Sequence, residues 1–129
     1  MITERATATT LLVILGALAV FHVLMLAGAL PSGIAWGGQA AGSPQTLRTL
    51  EVVGLVVTVV FAAAVAAKAG FIGSARVRGP ARIMVWIMFG YFVLNVVGNL
   101  ASASGVERAI FTPISAVVAL LALRLAVEK

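Results

Sequence analysis

The sequence predicts an all-α protein, an antiparallel four-helix transmembrane bundle, and three observations predict it. Of the 129 residues, 62% are hydrophobic and only 10% are charged, whereas a soluble domain carries about 25% charged residues. A chain this short cannot hide so much apolar surface in one aqueous core, because small domains bury the smallest fraction of their surface. Residues 6–47 and 83–106 contain no Asp, Glu, Lys or Arg, and two shorter charge-free runs cover 52–67 and 109–123. A spanning helix needs roughly 20 mostly apolar residues, and flanking charges that snorkel to the interface bring the short runs to that length. Proline, glycine and capping residues then divide the chain at three places.

The first helix is expected over about 3–30, ended by Pro31, which cannot continue it. Its apolar run is too long for a signal-peptide core, and Glu4 offsets Arg5 in the leader, so an uncleaved span is expected. The segment 31–42 is rich in Gly and small residues and reads as an ordered loop or a re-entrant turn.

Helix 2 is expected over about 44–69. Ser43 fits the N-cap and Pro44 the first helical position; Lys68 in the last turn and Gly70 beyond it mark the end. Helix 3 is expected over about 80–102, with Pro80 again in the first turn. Helix 4, over about 105–127, is announced by the capping-box spacing of Ser104 and Glu107, and Pro113 predicts a kink two turns inside it. Connections this short make successive helices antiparallel neighbours, in a single domain covering 1–129.

Orientation follows from Lys and Arg. The side holding both termini carries seven of them (Arg5, Lys68, Arg76, Arg78, Arg82, Arg124, Lys129) and the other side two, Arg48 and Arg108. Both termini are therefore expected in the cytoplasm. Small residues suggest where helices approach closely in the absence of a hydrophobic drive between them. They are Ser115, Ala119, Ala122 and Ala126 on helix 4, Ala62, Ala63, Ala66 and Ala67 on helix 2, and Gly90 and Gly98 on helix 3.

Polar residues inside such spans are functional candidates. His22, Glu51, Tyr91, Asn95, Asn99 and Thr112 all fall in the outer half, and Trp36 stands in the turn above them. Together they suggest an outward-facing polar pocket under the turn of Trp36, Gly37, Gly38 and Gln39. Each also has a plainer reading. Glu51 stands three residues after Arg48, within reach of an interfacial ion pair; otherwise it is a proton- or cation-binding carboxylate. His22 can be hydrogen-bonded within the bundle, Asn95 and Asn99 can be interhelical glue, and Trp36 can be an interface anchor. The inner half offers little polarity beyond Thr58.

Several classes are excluded. With no cysteine there are no disulfides, thiolate metal sites or thiol exchange. A lone histidine builds no histidine metal cluster, and no cofactor or metal is expected. The net charge of +5 sits at helix ends with no basic stripe, so nucleic acid is not expected as a partner. No nucleophile elbow, zinc-binding His-Glu-x-x-His or phosphate loop is present, and the reading favours a non-enzymatic role.

The order of features resembles a family of small, uncharacterised bacterial four-helix membrane proteins. The elements are Phe21-His22, Leu30-Pro31, Trp36-Gly37-Gly38-Gln39, Glu51, Lys68-Ala69-Gly70, Leu94-Asn95, Gly98-Asn99-Leu100, Glu107 and Phe111-Thr112-Pro113. The resemblance implies the four-helix fold and a bacterial inner membrane, and no particular activity. The small multidrug-resistance transporters have a similar length and helix number, but their essential glutamate lies deep in helix 1, where this chain has His22. The expected function is a binding or accessory membrane protein with a small-molecule ligand in the pocket. The alternatives are a proton-coupled transporter using Glu51 and a membrane enzyme acting on a lipid or quinone headgroup. Beyond the lipid bilayer, a homodimer or a partner in a membrane complex is left open.

Overall fold

A computed structural model of the chain describes residues 3–29, 44–102 and 105–128. They form four helices, α1 (Glu4–Leu26), α2 (Pro44–Lys68), α3 (Ala75–Leu100) and α4 (Thr112–Val127), the last preceded by a π-helical turn over Glu107–Phe111. With the π turn counted into the fourth, all four are long and apolar enough to cross a membrane. Their outer faces carry exposed Val, Leu and Ile, among them Val13, Ile83, Leu94 and Leu120. The chain is an integral membrane protein built as an all-α four-helix bundle.

Side-chain contacts fix the antiparallel order. Late α1 meets early α2 at His22 and Glu51, while Glu4 meets Lys68 at the opposite end. Lys68 and Arg78 join the end of α2 to the start of α3. Asn99 and Ser115 join late α3 to early α4, and Arg82 reaches Ala126 at the other end. Phe21 stacks on Phe111, closing the ring from α1 to α4.

The boundaries correct the expected ones. α1 stops at Leu26, short of Pro31. Gly28 takes a φ of 75°, its N–H donates to the Met25 carbonyl (3.1 Å) and Ala29 N–H donates to Leu24 (3.0 Å). These two bonds form a Schellman cap, which needs the left-handed conformation that glycine supplies. α2 ends as predicted, at the same motif built on Gly70, with Phe71 N–H donating to Ala66 (2.8 Å). α3 starts at Ala75, five residues before Pro80. Proline that close to a helix start removes only the bond to the Arg76 carbonyl, so it is tolerated. The irregularity expected at Pro113 takes the form of the π turn just ahead of it. Pro113 has no N–H for the Ala109 carbonyl, and a wider turn relieves that mismatch. Ser43 and Ser104, expected as caps, lie outside the described residues.

The core is concentrated in the half of the bundle that holds the termini. It comprises Ala8, Leu11 and Leu15 of α1, Phe61, Ala64 and Val65 of α2, Val85, Met88 and Phe92 of α3, and Val118, Ala119, Ala122, Leu125 and Ala126 of α4. The small-residue stripe of α4 is buried as expected, Ser115, Ala119, Ala122 and Ala126 alike. That of α3 is not: Gly90 and Gly98 are exposed, and a Cβ on either would meet nothing. Met88 and Phe92 take the inner face, which turns Gly90 outward. In the small-residue stretch of α2 Ala67 is buried, Ala62 and Ala66 are half-buried and Ala63 faces outward.

At the rim of this half the basic residues are tied down. Glu4 accepts from Lys68 Nζ (3.3 Å) and Arg78 Nη2 (3.1 Å). Arg78 Nε donates to the Lys68 carbonyl (3.1 Å) and Arg82 Nε to the Ala126 carbonyl (2.7 Å). Both are carbonyls that a helix C-terminus leaves without an internal donor. Arg124 pairs with Glu128, and Arg5 lies over the Phe71 ring at 4.9 Å, a cation–π distance.

Candidate functional site

The opposite half is built around one helix face. On α2, Glu51, Gly54, Thr58, Phe61, Val65 and Lys68 are all buried. Steps of three and four residues place them on one inward stripe. The stripe is apolar in the middle and polar toward both ends. At its start Glu51 is fully buried and its carboxylate Oε1 pairs with His22 Nδ1 of α1. Arg48 is exposed and does not take Glu51 as its partner, because the inward phase of Glu51 turns its carboxylate into the bundle.

Gly54 makes that pairing sterically possible. A Cβ at Gly54 would stand 2.7 Å from His22 Cε1, closer than two carbon atoms approach without bonding. The imidazole lies directly on the α2 backbone. One turn on, the Thr58 hydroxyl donates to the Gly54 carbonyl (2.7 Å), a back-bond that satisfies a buried hydroxyl.

Beside the His22–Glu51 pair is a cavity of about 110 Å³. Its polar lining is His22, Thr58, Tyr91, Asn95, Asn99 and Ser115, and its apolar walls are Leu18, Phe21, Phe92, Phe111 and Ile114. Asn99 Nδ2 donates to Ser115 Oγ (3.1 Å). The Tyr91 hydroxyl and the Asn95 amide make no hydrogen bond to any described residue. Tyr91 is held by its ring, edge-on to Phe61 at 5.3 Å and to Phe92 at 5.2 Å, which leaves its hydroxyl available.

The structure thus brings His22, Tyr91, Asn95 and Asn99 to one cavity, with Glu51 behind His22. Thr112 is half-buried at the π turn and is not among the lining residues. Trp36 lies outside the described residues. Thr58, expected as an isolated polar residue of the inner half, lines the cavity, and so does Ser115, expected only as a packing residue. The phase of Thr58 with Glu51 on α2 carries that information, as does the one-turn spacing of Ser115 from Phe111. Among the described residues no three His, Cys, Asp or Glu side chains come together as a metal-ligand set.

Fold and site define an integral membrane four-helix bundle with a polar cavity in one half. Comparison with protein-family models, with curated proteins and with solved structures gives no match.

Proposed function

We propose that this chain is a small binding or accessory protein of a bacterial inner membrane, one of the family of four-helix proteins it resembles. It holds a small, uncharged, hydrogen-bonding ligand in the outer half of its bundle. The observation that carries this reading is the pairing of an aromatic-walled cavity with two polar side chains, Tyr91 and Asn95, that no described residue satisfies. Groups of this kind in an apolar site favour a partner that completes their hydrogen bonds. Among the described residues no Lys or Arg lines the cavity, which favours a neutral ligand over an anion.

Orientation rests on the seven-to-two distribution of Lys and Arg. It places both termini in the cytoplasm and the cavity toward the periplasmic side. A second reading draws on the complete burial of Glu51: intramembrane carboxylates often serve as proton sites in transporters. Glu51→Gln in proteoliposomes should abolish substrate-driven proton movement if that reading holds.

The test of the first reading is native mass spectrometry of the full chain released from nanodiscs. The wild type should carry a small-molecule adduct that Asn95→Leu loses. The same adduct on both proteins would contradict the cavity as its site.

A further inference from the structure

The cavity does not stand alone. A second, wholly apolar groove of about 440 Å³ runs along the outside of the bundle between α1 and α4. It shares Leu18, Phe21, Phe111 and Ile114 with the cavity and continues over Val13, Ala17 and Val117. Polar cavity and apolar groove therefore share a wall, formed in part by the edge-on pair of Phe21 and Phe111, whose centroids are 4.9 Å apart. α1 and α4 also pack on each other less extensively than the other neighbouring pairs. Phe111 ends the π turn, and π turns inside helices recur at functional sites.

We infer that the ligand is a membrane-borne quinone with a single ring and an apolar tail, reaching the cavity sideways from the bilayer between α1 and α4. This rests on the cavity reading above and adds the ligand's class and route. The head group fits in chemistry. A cavity of about 110 Å³ is smaller than the ~150 Å³ that accommodates a benzene ring, so only the edge of the ring that carries one carbonyl enters it. Its walls include the rings of Phe21, Tyr91, Phe92 and Phe111, which suit a flat ring packed edge-on or offset. The Tyr91 hydroxyl and Asn95 amide are donors, and quinone carbonyls are acceptors without charge. The tail fits the groove, where Val13, Ala17 and Val117 offer an apolar bed and no hydrogen-bonding group. The step is binding only, with no change in oxidation state.

The experiment uses two probes on the full chain in phosphatidylcholine nanodiscs. One is duroquinone, which has a ring and no tail. The other is a decyl-tailed benzoquinone with a photoactivatable diazirine at the tail end, its adducts mapped by peptide sequencing. The inference predicts saturable duroquinone binding that Asn95→Leu loses. It also predicts diazirine label on residues 13–17 and 113–117, removed by excess duroquinone. Ala17→Trp fills the groove and should abolish that label while the helical circular dichroism stays that of the wild type. Val117→Trp, at another exposed groove position, repeats the test should the first variant lose its helical circular dichroism. Label spread over bilayer-facing residues such as Leu94 and Val97, insensitive to duroquinone, overturns the sideways route and leaves the cavity reading standing. Absence of saturable duroquinone binding overturns the quinone assignment. In that case the Asn95-dependent adduct in native mass spectrometry decides whether the cavity reading falls with it.

Discussion

The two halves of the bundle are made from the same four helices, yet they are organised differently. The half with the termini is closed. Its centre is a continuous apolar core from Ala8 to Ala126, and its rim is an ionic clamp in which arginine side chains cover helix-end carbonyls. Among the described residues, the other half has few fully buried apolar side chains, Met25 among them, a buried Glu51 held by His22, and a cavity with polar walls. Each half keeps a buried ionisable residue on the same stripe of α2, Lys68 at one end and Glu51 at the other. Lys68 sits at a rim, where its partner Glu4 is partly exposed. Glu51 sits inside the span, behind the His22 ring that lines the cavity. The rim pair staples helices together, whereas the carboxyl group within the span positions an imidazole beside the cavity.

The largest effect that would break this contrast is expected at His22. Replacing it by Ala takes the imidazole away from the buried Glu51, and removing one member of a buried pair costs as much as about 3–5 kcal/mol. Unfolding in mixed detergent–SDS micelles should show that loss. The rim counterpart, Lys68→Met, should cost less, because Glu4 is partly exposed to water at the rim. Equal losses would erase the distinction between the two pairs.

Truncation of the closed core comes next. Leu11→Ala opens a void where Leu11 is fully buried, at a cost of about 2–5 kcal/mol by the same assay. Gly54→Ala follows, at about 1–3 kcal/mol for overpacking, since its methyl group collides with the His22 ring. It should also displace the imidazole, seen as a shifted His22 side-chain resonance in NMR of the labelled protein. The smallest stability change is expected for Asn95→Leu, within about 1 kcal/mol, because the amide bonds to no described residue and its loss leaves no partner unsatisfied. Its effect should fall on ligand retention instead.

The number of helices was legible in the sequence because charge-free length is a direct measure of span. The end of α2 was legible because Lys68 and Gly70 state a helix stop. The end of α1 was misplaced because Pro31 is the louder signal, while Gly28, whose positive φ makes the cap, sits among small residues that hide it. Which face of each helix turns inward was the least legible feature. In water, apolar periodicity marks the buried face; here the bilayer face is apolar too, so Gly90 and Met88 compete for the interior without a pattern to rank them. The polar residues were the exception. Their cost in lipid drives them inward, which is why His22, Tyr91, Asn95 and Asn99 could be gathered into one site from sequence. Glu51 was ambiguous because Arg48 is equally near along the helix, and only its phase with Thr58, Phe61 and Val65 turns it inward.

The central claim is that one half of this bundle is an accessible polar site and the other a closed core. The chain has no cysteine of its own, so single-cysteine variants report without background. Reaction of N-ethylmaleimide with Asn95→Cys and with Met88→Cys in nanodiscs tests the claim most directly, since the reagent needs a thiolate and hence access to water. The account predicts modification of Asn95→Cys and none of Met88→Cys. Equal labelling of the two, or labelling of Met88→Cys alone, would contradict it.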